Sequence, residues 1–519
     1  MLNGDWCLIQ HSTFNIPDPP PLLLFRLMND FRGLIDLATE SLGGSVLYAT
    51  DDFFAEKENL LRASAPVWKE HQYTDRGKWM DGWESRRKRE PGHDFAIIRL
   101  GLRGILEGVV VDTSFFRGNY PDSCSIEACS ARTDADIASL LAAEWTEILP
   151  EVKLAGDGQN LFEIESSLAF THVRFHIYPD GGVARLRLHG RVVPDWKLLG
   201  GLGNELDLAA AENGAEVLSC SDMFFGPKHN LIMPGRSLNM SGGWETKRRR
   251  GPGHDWVIVR LATEGELRRL EIDTNHFKGN YPDTASVEGC RVTDPDASPE
   301  DAEWHEVLPR TKLQAHTRHF FIDELQSRGP FTHFRLNVFP DGGVSRLRAH
   351  GIATRAGIES QVTKRINSLP DPRPELLACC GSTEWAERVA SARPFESWND
   401  LTAKADAIWR GLKPEDWLEA FRAHPRIGER KPSHGWAADE QAGATTAGEV
   451  TLSELANANR EYEKRFGHIF IVCATGKSAD EMLSILQSRL GNPSEAELEI
   501  AAEEQRKITH LRLRKLVTG

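Results

Sequence analysis

Apolar and polar residues alternate one by one through much of the first 355 positions, in short stretches that end at glycine, proline or aspartate. Val173, Phe175 and Ile177 alternate with His172, Arg174 and His176, and after Pro179-Asp180-Gly181-Gly182 the alternation resumes with Leu186 and Leu188 against Arg185, Arg187 and His189. Period two around a tight turn predicts an antiparallel hairpin with one buried face. The pattern returns with Phe334, Leu336, Val338 and Leu347 against Arg335, Asn337, Arg346, Arg348 and His350. Around 355–373 the alternation stops, and Ser368-Leu369-Pro370-Asp371-Pro372-Arg373-Pro374 punctuates the change. Beyond it the period becomes helical: Leu498, Ala501, Gln505, Ile508 and Leu511 share one stripe. Ser478-Ala479-Asp480-Glu481 and Ser494-Glu495-Ala496-Glu497 read as capping boxes that open helices.

The two alternating stretches are copies. Asp112-Thr113, Phe116 and Gly118-Asn119-Tyr120-Pro121-Asp122 return as Asp273-Thr274, Phe277 and Gly279-Asn280-Tyr281-Pro282-Asp283, a shift of 273 − 112 = 161. The same shift carries Gly82-Trp83-Glu84, Gly92-His93-Asp94 and Pro179-Asp180-Gly181-Gly182-Val183 onto their second versions. The predicted architecture is therefore two tandem all-β sandwiches of jelly-roll type, at 28–195 and 196–356, followed by an all-α domain at 357–519, with 1–27 as an N-terminal extension. A length of 519 residues agrees with three domains at roughly 150 residues each.

A formal net charge of −14 argues against sequence-independent binding to nucleic acid. The runs Arg86-Arg87-Lys88-Arg89 and Lys247-Arg248-Arg249-Arg250 suit a small anion or a solvated face. Eight scattered cysteines make neither a disulfide framework nor a zinc spacing, and no apolar run reaches membrane-span length, so a reducing cytoplasm and no membrane are expected. His316-Thr317-Arg318-His319 is the nearest approach to a metal spacing, but it occurs in one copy only, and a surface loop is the better reading.

Among the residues kept in both copies, Gly118, Asn119 and Pro121 are explained as turn formers. Glu84, His93, Asp94, Asp112 and Arg174, with Glu245, His254, Asp255, Asp273 and Arg335, are harder to explain by packing, although structural ion pairs account for about half of such cases. Phe115 against His276 is a difference that hints at unequal copies. The stretches Asp51-Asp52-Phe53-Phe54-Ala55, Gly77-Lys78-Trp79-Met80-Asp81-Gly82-Trp83-Glu84, Asp112-Thr113-Ser114-Phe115-Phe116-Arg117-Gly118-Asn119-Tyr120 and Tyr178-Pro179-Asp180-Gly181-Gly182-Val183-Ala184-Arg185 resemble the hallmarks of the allantoicase family over about 30–355. The resemblance implies hydrolysis of allantoate to ureidoglycolate and urea. That chemistry calls for a cation on the substrate carboxylate and an acid–base pair. Arg86 or Arg174 is the candidate for the first, Glu84, Asp112 or His93 for the second, with Trp83 and Asn119 as pocket walls.

In the helical part, Ala423-His424-Pro425-Arg426-Ile427-Gly428-Glu429-Arg430, Trp436-Ala437-Ala438-Asp439-Glu440-Gln441-Ala442-Gly443, Phe466-Gly467-His468-Ile469-Phe470-Ile471-Val472-Cys473-Ala474 and Lys507-Ile508-Thr509-His510-Leu511-Arg512-Leu513 resemble the 2-oxo-4-hydroxy-4-carboxy-5-ureidoimidazoline (OHCU) decarboxylase family, from about 362 to the end. By that resemblance His424 is the proton donor, Glu440 its acidic partner, Pro425 and Gln441 substrate contacts and Arg512 a further polar partner. Phe470, Ile471, Val472, Cys473 and Ala474 would offer backbone groups to the imidazoline ring. Ala437 stands where the family often has serine. The implied product is (S)-allantoin, formed without a cofactor. Metal assistance in the sandwich part stays open, and ureide substrates and self-assembly are the expected partners. An enzyme that opens allantoin to allantoate is missing between the two reactions, so the fusion points to co-expression. The competing reading makes the sandwiches small-ligand or carbohydrate-binding modules fused to a decarboxylase or scaffold domain.

Overall fold

A computed structural model describes residues 31–199, 203–294, 297–424 and 449–518 of the 519. The extension 1–27 and the segment with Pro425, Ala437, Glu440 and Gln441 lie outside the described residues.

Each repeat is a two-leaf sandwich hinged on one long strand, Asp94–Asp112 in the first and Asp255–Asp273 in the second. The first half of Asp94–Asp112 pairs with Ser45–Ala49 and Ala169–Tyr178; its second half pairs with Arg185–Val192 and Gln159–Glu163. Ser123–Cys129 and Thr146–Lys153 extend the first leaf, and Ile35–Asp36 the second. Pairing with Ala169–Tyr178 skips from Gly104 to Arg99, where the long strand bends from one leaf to the other. The predicted hairpin is thereby corrected: Ala169–Tyr178 and Arg185–Val192 pair not with each other but with opposite halves of the long strand. Alternation could show which side chains face inward, yet it carries no information on which strand lies alongside.

The inward faces are as apolar as the alternation requires. Ile98, Val111, Ile126, Val173, Phe175, Leu186 and Leu188 are buried between the leaves of the first sandwich, and Val259, Ile272, Val287, Phe334, Leu336 and Leu347 in the second. The repeated Gly-Gly of the Pro-Asp-Gly-Gly turn serves this packing. Gly181 and Gly342 have φ of 141° and 135°, and a β-carbon on Gly182 would enter the Phe116 ring.

The copies differ at one end. The indole of Trp83 and the carbonyl of Asp51 that it reaches lie 32 residues apart, whereas the equivalent Trp244 and Asp222 lie 22 apart. The additional length holds the small hairpin Tyr73–Thr74/Gly77–Lys78, with Trp68 packed on Phe115. Phe115 and His276 share a left-handed backbone, φ 71° and 72°. His276 lacks the hairpin and instead bonds the Ser237 carbonyl, so this difference follows local packing.

Thr354 caps the helix Arg355–Ser368, which begins directly after the last strand and is tied back to the sandwich by Gln361 on the Ala262 carbonyl. Trp196, from the connection between the sandwiches, joins the helical core with Leu376, Trp385, Trp409 and Leu513. Among the described residues the long helix Ser494–Thr518 packs against five other helices. Ser478 and Glu481 form the predicted capping box. The second does not form: Glu497 turns inward, fully buried, and takes hydrogen bonds from Tyr462, Arg489 and Asn492.

Candidate functional sites

The sandwich residues singled out in the sequence fall into two places. At the loop end, Asn119 Nδ2 donates to Glu84 Oε1 at 2.7 Å, as Asn280 does to Glu245 in the second copy. Burial raises the pKa of Glu84 and of Glu245, and the asparagine bond offsets this only in part.

On the outer face of the first leaf, alternation brings His93, Arg174 and His176 together with Glu127 of the neighbouring strand. Arg174 Nη2 lies 2.5 Å from Glu127 Oε2 and stacks over the Trp145 ring. His176 bridges Glu127 and His93 at 2.9 Å on each side. The second copy keeps His254, Glu288, Arg335 and Trp304 and has Asn337 in place of the bridging histidine. There the face opens into a cavity of about 640 Å³ lined by His254, Trp256, Ser286, Glu288, Arg335 and Asn337.

Three candidates belong to neither place as expected. Trp83 is a core residue, fully buried against Phe175 with its N–H on the Asp51 carbonyl, and so cannot wall a pocket. Asp112 is 4% exposed, and its Oδ1 accepts from the Ser114 N–H in a local turn that Asp273 and Asn275 repeat. Arg86 already holds a carboxylate, that of Asp51, at 2.6 Å. Glu127, Glu288 and His176 were missed. The available signal was Glu127 recurring as Glu288 at the same 161-residue shift as its arginine.

His316 and His319 are both engaged by backbone: the His276 N–H donates to His316 Nδ1, and His319 takes the Gln314 N–H. Among the described residues no cluster has the ligands for a metal ion.

In the helical domain, His424 follows the helix Pro414–Arg422, and Arg512 Nη2 approaches its Nδ1 at 3.3 Å from the final helix. Burial, then the Arg512 charge, pushes the His424 pKa down to about 3, so the ring is neutral at pH 7. Arginine only donates, which leaves Nδ1 as the acceptor and places the proton on Nε2. The Gln505 side chain reaches the ring as well, and its hydrogen bond offsets the fall only in part. Gln505 lies two turns before Arg512 on the same helix face. Gln505 was counted as core in the sequence; its spacing to Arg512 was the signal.

The segment 469–474 runs extended between two cores. Ile471 packs into one, with Ile469 and Cys473 against it, while Phe470, Val472 and Ala474 pack into the other. Ile469 and Cys473 stay half-buried, and the other four side chains are taken up by the cores. Glu504 fixes the Cys473 N–H at 2.7 Å and Arg489 the Ile471 carbonyl at 2.9 Å.

Duplicated charged faces on two sandwiches, joined to a helical domain in which a histidine meets a buried arginine, define a two-part enzyme. A family profile described as Allantoicase repeat matches residues 35–193 and 206–354, and one described as OHCU decarboxylase matches 369–514. A probable allantoicase of Pseudomonas fluorescens is 50% identical over 327 residues, 62% of this chain and 97% of that protein. The crystal structure of allantoicase from Saccharomyces cerevisiae aligns with a TM-score of 0.53 at 35% identity, covering 62% of this chain and 96% of that one. A crystal structure of an OHCU decarboxylase in the presence of (S)-allantoin is 44% identical and covers 28% of this chain and 98% of that one, with a TM-score of 0.26. The chain belongs to the allantoicase family and carries an OHCU decarboxylase domain at its C-terminal side.

Proposed function

We propose that the sandwich pair hydrolyses allantoate to (S)-ureidoglycolate and urea, and that the helical domain decarboxylates OHCU to (S)-allantoin. For the sandwiches the supporting observation is one polar face kept in two copies, with Arg174 and Arg335 held beside His93 and His254. In the helical domain it is the His424–Arg512 pair, with the Gln505 side chain on the same ring. Loss of carbon dioxide leaves a carbanion that spreads into the adjoining ring carbonyl and imine, and one proton then sets the handedness of the product. An anionic substrate beside His424 offsets both burial and the Arg512 charge and raises the proton affinity of the ring. Glu440, Pro425 and Gln441 keep the roles that the family resemblance implies.

Urea release from allantoate by the purified chain, together with OHCU decay and the optical rotation of its product, tests both halves. Ligand binding without urea would favour the binding-module reading. An OHCU decay rate and product handedness unchanged by the protein would leave the helical domain as a scaffold.

A further inference from the structure

The hydrogen bonds on the outer face of each sandwich have only one permitted direction. Burial alone would raise the pKa of Glu127, but hydrogen bonds from His176 and Arg174 outweigh it and hold the carboxylate ionised. An ionised carboxylate only accepts, so His176 Nε2 carries a proton and His176 Nδ1 is a lone pair. His93 Nε2, 2.9 Å from that lone pair, must then donate, which in the neutral ring leaves Nδ1 as the lone pair.

The second sandwich reaches the same end by another residue. Glu288, held by Arg335 at 2.7 Å, accepts from Asn337 Nδ2 at 2.8 Å. Asn337 Oδ1 therefore faces His254 Nε2, at 3.2 Å, and His254 Nδ1 is the free base. Both histidines are half-buried, and neither Nδ1 has a protein partner among the described residues. His254 lines the cavity of about 640 Å³. An asparagine cannot pass a proton along, so what the two copies share is the tautomer of the histidine and not a relay.

We infer that His93 and His254 are general bases of urea release, one in each repeat, each presenting Nδ1 because a carboxylate two hydrogen bonds away dictates its tautomer. The inference rests on the reading of the sandwiches as an allantoate hydrolase and assigns a working site to both copies. The water oxygen bonds to the central carbon of allantoate as the carbon–nitrogen bond to one ureido group breaks. The water proton moves to Nδ1 and from there to the departing nitrogen, which leaves as urea. His176, Asn337, Glu127 and Glu288 are positioning residues.

Initial rates of urea release by the full-length chain, measured across pH, test this. His93→Ala/His254→Ala should lower kcat by about 10²- to 10⁴-fold with KM moved less than about threefold, and added imidazole should restore part of the rate. Each single variant should keep roughly half the activity. In the His254→Ala background, His176→Leu should lower kcat about tenfold or more and His176→Asn should recover most of it, by recreating the second copy. A double variant with undiminished kcat overturns the inference while leaving the hydrolase reading intact. His176→Asn as damaging as His176→Leu overturns the tautomer argument. No urea from the unaltered chain overturns both readings.

Discussion

The sandwich and helical sites solve the burial of polar groups in opposite ways. On the sandwich face the charges are paired across neighbouring strands, Arg174 with Glu127, and the chain runs on from Glu127 to His176 and from His176 to His93. In the helical domain no carboxylate answers the Arg512 charge beside His424 among the causes of its shift; burial keeps the ring neutral, and the uncharged Gln505 side chain is its other partner. A strand face can support a self-satisfied chain because period two sends the apolar residues to the other side. The helical site relies on desolvation, which costs folding free energy unless something binds there. The difference teaches that the first site is held by its partners and the second by its surroundings, and the two should fail differently.

The sharpest way to break the comparison is His424→Ala. It should slow OHCU decarboxylation by about a hundredfold or more and leave urea release from allantoate unchanged; parallel loss of both rates would show that the sites are not independent. Next come the cores. Trp83→Ala should cost about 3–5 kcal/mol and remove the first sandwich's share of urea release, read by denaturant unfolding. Glu497→Ala, which strands the buried Arg489, should cost a similar ~3–5 kcal/mol in the helical domain, with urea release as the control.

Acid sensitivity should be smaller. Burial pushes His333 in the second sandwich down to about 4 and His424 to about 3, so the folded chain binds fewer protons than the unfolded one below pH ~6.5. Stability is complete above that pH and falls as pH drops towards 4. Unfolding midpoints at pH 7 and 5 should differ, and His333→Gln should narrow the gap. Smallest is Ser478→Ala, which removes the predicted capping box at the start of its helix and should cost about 1 kcal/mol, visible as a slight fall in the helical unfolding midpoint.

Legibility tracked the internal repeat. His93, Arg174 and Glu84 were readable because a second copy kept them, and each does meet a polar partner. The repeat was no guide to burial, so Trp83 and Asp112, kept for packing and a turn, looked like site residues. Gln505 shows the converse, a polar residue that periodicity assigned to the core and the fold set beside the site.

Residue order alone determined the sandwich-then-helix arrangement, the inward face of each strand and the duplicated polar set, because period and repetition are properties of a line. Only the folded chain decided that the strands on either side of each Pro-Asp-Gly-Gly turn diverge to opposite leaves, that Glu497 turns inward and that His176 links Glu127 to His93. Those outcomes depend on which distant segments become neighbours, and a neighbour across a sheet or a helix packing leaves no mark on local spacing.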